Sequence, residues 1–190
     1  MTRIRQICCD PSLILENYDG GSAKREVCME LIRGVIEGEH KALVFSQFTS
    51  MLELLENDLK KEGIDYYKIT GATPKERRIE MVREFNENTV PVFLISLKAG
   101  GTGLNLTGAD VVIHFDAWWN VAAQNQATDR THRIGQTRVV TVYKLIAKGT
   151  IEERILEMQQ NKEKLAEDIL SGENIASSTI SREDLLDLLG

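Results

Sequence analysis

Gln126, Arg130 and Arg133 lie at i, i+4 and i+7 within the stretch 125–136, NQATDRTHRIGQ. At 3.6 residues per turn that spacing stacks one amide and two guanidiniums along a single helix face. Arg cannot lose its charge and its planar fork matches phosphate oxygens, so a fixed guanidinium pair suits a phosphate ligand above other classes. Asp129 stands one turn before Arg133 and can brace it. Gly135 sits where a helix would stop in the left-handed conformation, and Gln136 follows on the exit loop. The competing reading is a solvated, salt-bridged helix face. His132, between the arginines, reads as a hydrogen-bonded structural imidazole.

A second anion-binding pattern precedes this one. The run Ser96-Leu97-Lys98-Ala99-Gly100-Gly101-Thr102-Gly103-Leu104-Asn105 sets three glycines beside a Lys and a Ser, and glycines let backbone N–H groups approach an anion closely. One alternative is a plain turn. Another is a Rossmann-type cradle with Asp116 as the ribose-binding acid, but that fingerprint belongs after the first strand of a sheet and leaves Arg130 and Arg133 without a role. No GxxxxGK[ST] occurs anywhere, and no Asp-Glu pair ends a strand to hold magnesium and position water. The pattern is half of a site. Arginines on a rigid helix with no phosphate loop of their own fit arginine fingers, which complete another lobe's pocket and neutralise charge on a transferred phosphoryl group.

The elements that hold these groups follow from hydrophobic periodicity. Apolar runs of strand length at 42–45, 66–69, 92–97, 111–115 and 139–146 alternate with amphipathic segments. Phe48, Met51, Leu52, Leu55 and Leu59 predict a helix stopped at Gly63. Thr73-Pro74-Lys75-Glu76 reads as a capping box opening a helix carried by Ile79, Val82 and Phe85. A helix over 120–135 joins the last two strands. Upstream, a short helix around Ile4, Ile7 and Cys8 and an extended arm after Pro11 lead to Ser22, the N-cap of a helix bearing Val27, Cys28, Leu31, Ile32, Val35 and Ile36 as far as Gly38. This opening reads as a cut from a longer protein. Downstream, a capping box at Thr150-Ile151-Glu152-Glu153 opens a long helix with Ile151, Ile155, Met158, Leu165 and Ile169 on one face. A polar linker over 172–178 and a short Leu-rich helix end the chain.

Alternating strands and helices imply right-handed crossovers and an α/β fold: a doubly wound, largely parallel sheet with flanking helices and a C-terminal helical brace. Ligands of such a sheet collect outside the carboxyl ends of the strands. There fall Ser46, Gln47 and Phe48; Thr70, Gly71, Ala72 and Thr73, with Arg77 one turn on; the glycine run; and Asp116, Trp118, Trp119 and Asn120. His114, within a strand, and Trp118 read as core; Trp119 reads equally as core or contact.

The chain has 190 residues, 42% hydrophobic and 27% charged, in keeping with a globular domain that buries a sizeable core. It contains no run of eighteen apolar residues and starts without a signal-peptide pattern, which predicts a cytosolic or nuclear protein. Its 3 cysteines, Cys8, Cys9 and Cys28, form no CxxC pair and read as small hydrophobes, neither disulfide framework nor zinc site. The net charge of -6 resides in the tail: residues 1–150 hold 19 Lys and Arg and 19 Asp and Glu, whereas 151–190 hold 4 and 10. A neutral body excludes a polycation that coats DNA, yet clustered Arg and Lys can still hold phosphates.

KALVFSQF (41–48), ITGATPKERR (69–78), LISLKAGGTGLNLTGADVVIHFDAWWN (94–120) and QATDRTHRIGQ (126–136) resemble, in order and spacing, the second-lobe motifs of the Swi/Snf family of DNA-dependent ATPases, in helicase superfamily two. RQICCDPSLIL resembles the family's lead into that lobe, and TIEERILEMQQNKEKLAEDIL its closing brace helix. The resemblance implies a RecA-like helicase C-terminal lobe over 39–148, an N-terminal helical segment over 1–38 and a C-terminal brace with a short terminal helix over 149–190. It implies that Arg130 and Arg133 are arginine fingers with Gln126 and Gln136 as supporting contacts, and that Gly103 and Asn105 lie near the nucleotide. It further implies that Gly71, Thr73, Arg77, Ser96, Lys98 and Gly100 track the phosphates of one DNA strand, with Trp119 against the minor groove. Val121 departs from the family's proline and Thr131 from its alanine; neither change removes a ligand group.

By the same resemblance the cofactor is ATP with Mg, the metal held mainly by an N-terminal RecA-like lobe, and double-stranded DNA is the partner of a monomeric motor, nucleoid-associated in a bacterium or nuclear in a eukaryote. The alternative is a nucleic-acid-binding or regulatory module whose nucleotide site has decayed.

Overall fold

A parallel strand buried on both faces must be apolar on both, and the sequence ALVFS meets that demand at β1 (Ala42–Ser46), where every residue is buried. A computed structural model describes residues 2–100, 104–117 and 138–171. Two helices precede β1, α1 (Thr2–Cys9) and α2 (Ala23–Glu37). After it come α3 (Thr49–Lys61), β2 (Tyr66–Ile69), α4 (Lys75–Glu87), β3 (Val92–Ser96) and the single turn α5 (Leu97–Gly100). β4 (Val111–His114), β5 (Thr141–Lys144) and α6 (Ile151–Ser171) complete the described elements. The chain divides into two compact units, Met1–Leu156 and Glu157–Gly190; the sheet belongs to the first.

The sheet has the order β2-β3-β1-β4-β5 and every pairing is parallel. Period-two alternation sorts its side chains into two cores. Ala42, Val44, Val92, Leu94, Val111 and Ile113 pack with Cys28, Ile32 and Val35 of α2 and Met51, Leu52, Leu55 and Leu59 of α3. Leu43, Phe45, Phe93, Ile95 and Val112 pack with Met81 and Phe85 of α4 and with Leu97, Ala99, Leu104 and Leu106. Helices therefore cover both faces, as the alternation predicted. Because the glycine run follows β3, which lies between β2 and β1 rather than first in the chain, the Rossmann reading fails.

Helix ends follow the sequence closely. Ser22 caps α2 through its side chain, which accepts from the Arg25 N–H. Gly63 stops α3 at φ +67, with the Ile64 N–H bonded to Leu59 O at 2.9 Å and the Gly63 N–H to Lys60 O at 3.2 Å. α2 ends the same way, but Glu39, not Gly38, takes the left-handed residue's place, at φ 55.

Several expectations need correction. α4 begins one residue later than the capping box predicts: Pro74 is its N-cap without a side-chain bond, because the Thr73 hydroxyl accepts from the Thr70 N–H instead. Its inward face is Met81 and Phe85, whereas Ile79 is 62% exposed. Pro11–Leu13 forms a 3-10 turn, not an extended arm, because Asp10 accepts from the Ser12 N–H and closes it. In α1 the buried positions are Arg5 and Cys9, while Ile4 and Ile7 face outward. The first part of the glycine run is helical, since Leu97 and Ala99 sink into the second core. At the second capping box Thr150 accepts from the Glu152 N–H, and Glu153 accepts from the Gly149 N–H rather than from Thr150. β5 is shorter than its apolar run and exposed along its length. The helix over 120–135 and the segments after 171 lie outside the described residues.

Candidate functional site

Parallel register alone lines up the loops in which ligands should collect. Ser46 pairs with Ser96, Ile69 with Ile95, Phe45 with His114 and His114 with Lys144. Four carboxyl ends therefore finish in one row, with Gln47, Thr70, Leu97 and Asp116 just beyond it.

After β2, Gly71 is exposed and Thr73 half-buried. The turn is shaped by a residue the sequence did not single out: Arg78 donates to the carbonyls of Thr73 at 2.7 Å, Gly71 at 3.0 Å and Thr70 at 3.2 Å. Its neighbour Arg77 is exposed and paired on its own helix with Glu80 at 2.6 Å and Glu84 at 3.5 Å. A phosphate at Arg77 must compete with those carboxylates. After β3, Ser96 is buried, and Lys98 and Gly100 belong to the turn α5. Asn105 is exposed; its carbonyl accepts from Asn86 Nδ2 at 2.8 Å, and Asn86 Oδ1 accepts from the Gly108 N–H at 2.9 Å. A Cβ at Gly108 would stand 2.9 Å from the Asn86 backbone, so the loop can be held this tightly only with glycine there. Gly103, Trp119, Gln126, Arg130, Arg133 and Gln136 lie outside the described residues.

The most heavily built part of the row is a buried polar cluster after β1 and β4. Arg5 of α1, 5% exposed, donates to Gln47 Oε1 at 3.0 Å and to the carbonyl of Ala117, and stands 3.8 Å from Asp116. The Asp116 carboxylate accepts the Gln47 N–H at 3.1 Å. Burial pushes the Asp116 carboxyl up to about 6, against a Ser46 hydrogen bond, the Lys24 charge, the Gln47 N–H and the Arg5 charge, which favour ionisation. Beside it Lys24 of α2 grips both oxygens of Glu152 of α6 at 2.8 Å and lies 5.3 Å from the Phe115 ring. Gln47 and Asp116 could be seen in the sequence at strand ends. Arg5 and Lys24 could not, because a charged residue on an amphipathic helix reads as solvated until its partners are known. The only available hint for Arg5 was its i, i+4 spacing to the buried Cys9.

His114 is buried and stacks on Phe45 at a centroid distance of 5.6 Å, the core role expected of it; burial, then the Lys144 charge, pushes its pKa down to about 4. Cys9 and Cys28 are buried and Cys8 half-buried, and all three thiols are free. Burial pushes the Cys28 thiol up to about 12, which removes it from thiolate chemistry. Among the described residues no group of three or more His, Cys, Asp or Glu could hold a metal ion, and no helix is long and apolar enough to cross a membrane.

Residues 23–135 match the family described as "Helicase conserved C-terminal domain". An uncharacterized ATP-dependent helicase of Mycoplasma pneumoniae is 43% identical over 190 residues, 98% of this chain and 18% of that protein. The putative ATP-dependent helicase/translocase YwqA of Bacillus subtilis is 41% identical, over 95% of this chain and 20% of that one. The chromatin-remodeling ATPase INO80 of Homo sapiens is 44% identical over 79% of this chain and 10% of its own. The crystal structure of the C-terminal part of the Fun30 ATPase domain is similar with a TM-score of 0.69 and 33% identity, over 82% of this chain and 53% of that one. The chain belongs to the helicase C-terminal domain family, as a RecA-like second lobe of the Swi/Snf type in helicase superfamily two. It spans a fifth or less of the length of these curated relatives.

Proposed function

We propose that this chain is the second motor lobe of an ATP-dependent double-stranded DNA translocase or remodeller. The observation that carries the reading is the row of carboxyl-end loops set by the parallel register: it gathers the segments after β1, β2, β3 and β4 on one edge, and each bears a family motif. Residues 39–148 form the motor lobe proper, 1–38 its N-terminal helical segment and 149–190 its brace. Arg130 and Arg133 act as arginine fingers on ATP bound mainly by an N-terminal lobe, supported by Gln126 and Gln136, with Gly103 and Asn105 beside the nucleotide.

ATP fits the donors on this edge. Asn105 is an exposed amide at a strand's carboxyl end, and the described residues offer no carboxylate group for Mg, which suits a lobe that leaves the metal to its partner. When bound, ATP supplies the phosphoryl group whose transfer drives closure. This chain's part is to place positive charge where the transition state develops negative charge. Gly71, Thr73, Arg77, Ser96, Lys98 and Gly100 follow one DNA strand and Trp119 meets the minor groove. Ser96 and the Arg77 pairs constrain how: a buried serine serves DNA through its loop's backbone, and Arg77 must leave Glu80 to reach a phosphate. Contacts of this kind are blind to base sequence. The motor works as a monomer.

The test is ATP hydrolysis by the longest natural protein that carries this chain, with and without double-stranded DNA, beside its Arg133→Ala variant. DNA should stimulate turnover strongly, and the variant should lose about a thousandfold, the scale on which arginine fingers act. Turnover indifferent to DNA, or intact in the variant, would replace the motor reading with that of a binding module whose nucleotide site has decayed.

A further inference from the structure

Arg5 is an expensive residue where it stands. Burying a guanidinium costs several kcal/mol unless its geometry is well satisfied, and an apolar side chain of similar volume generally serves stability as well or better. Yet α1 turns Ile4 and Ile7 outward and Arg5 inward. What the guanidinium gains over an apolar side chain is a fixed fork. One nitrogen holds the Gln47 amide at 3.0 Å and another the carbonyl of Ala117, with Asp116 at 3.8 Å and the Phe48 ring 5.8 Å from the guanidinium carbon. Gln47 closes the ring by donating its N–H to Asp116. The grip therefore joins the corners after β1 and β4, and Ala117 is the last residue before Trp118, Trp119 and the arginine-bearing segment.

We propose that Arg5 is a positioning residue for the arginine fingers: by fixing the backbone at 116–117, from which residues 118–135 depart, it sets where Arg130 and Arg133 stand relative to the nucleotide. This rests on the motor-lobe reading above. Arg5 touches no reacting atom. It acts through the corner, so its loss shows in the rate of the chemical step more than in the affinity for ATP.

The test uses the longest natural protein carrying the chain, with DNA saturating. Arg5→Lys keeps the charge and loses the fork; Arg5→Met keeps the stem and loses the charge. Both should lower kcat by up to about a hundredfold, the scale on which an ångström of misplacement acts, with little change in KM for ATP and with the melting temperature of Arg5→Lys unchanged. In the 190-residue chain by itself, whose 2 tryptophans are Trp118 and Trp119, the same substitutions should shift the tryptophan emission. On an Arg133→Ala background neither should cost anything further, because the group being positioned has gone. Full activity in both variants overturns the assignment. So does a loss that tracks the unfolded fraction, or one that multiplies undiminished with Arg133→Ala, since either makes Arg5 a residue that only holds the fold. Turnover that survives Arg133→Ala alone fails the motor-lobe reading and takes this inference with it. That failure is read from a different variant and is distinguishable.

Discussion

Lys24 and Glu152 sit 128 residues apart in sequence, both buried, and bond at 2.8 Å. Glu152 Oε2 also accepts the Ala147 N–H at 2.8 Å, so the carboxylate is satisfied from two directions. Removing one partner leaves a charge without its counter-ion in a dry place. Lys24→Met should therefore cost about 3–5 kcal/mol in equilibrium urea unfolding. Lys24→Met combined with Glu152→Gln keeps an acceptor for Ala147, removes the orphan charge and should recover part of that loss; a double variant as unstable as the single one would mean the pair is not what holds the two helices' first turns together. Single residues were the hardest scale to read from sequence. Ser46, Gln47, Thr73 and Asp116 could be placed because strand ends announce themselves, and their carboxyl-end positions are seen in the structure. Arg78, which shapes the turn proposed to meet DNA, stood next to the more conspicuous Arg77, and nothing in its spacing says which of the two faces the carbonyls.

At the scale of elements, strands were legible because parallel strands buried on both faces must be apolar without interruption, and 42–45, 92–97 and 111–115 are. Their ends shifted by a residue where a neighbour, not the strand's own sequence, decides: Leu97 left β3 for α5 because the second core takes its side chain. α4 was read one face off for a similar reason, since Ile79, Val82 and Phe85 are evenly spaced but only the Met81 and Phe85 side meets the sheet. The end of β4 yields a prediction of its own. His114 has its pKa lowered from 6.5 to about 4, so between those values the unfolded chain binds a proton that the fold refuses, and stability falls as pH drops. Asp116 has its pKa raised from 3.8 to about 6, so over nearly the same interval the fold binds a proton that the unfolded chain does not, and stability rises as pH drops. The two slopes oppose. Between about pH 6 and pH 4, His114→Gln should gain stability on acidification relative to the parent, and Asp116→Asn should lose it, as read from melting temperature against pH. Slopes equal to the parent's in both variants would remove these groups from the linkage.

At the scale of the whole molecule, the fold class and the family were both open to reading from sequence, whereas the geometry of nucleotide and DNA contact depends on partners beyond this chain. The motor-lobe reading makes a direct prediction here: the 190-residue chain alone should bind ATP weakly and hydrolyse none, and appreciable turnover by the purified chain would sink it. The strand order has a further consequence, in time rather than in space. β1 pairs only with β3 and β4, and β2 only with β3, so during synthesis nothing ahead of Val92 has a strand to pair with. Roughly the first half of the polypeptide leaves the ribosome with α2 and α3 showing apolar faces and two strands unzipped, and long-range parallel pairing is slow to close. The nascent lobe is thus an early client for holding chaperones. Its N-terminal segment, whose Arg5 waits for Ala117 and whose Lys24 waits for Glu152, is among the first parts translated and among the last to lock.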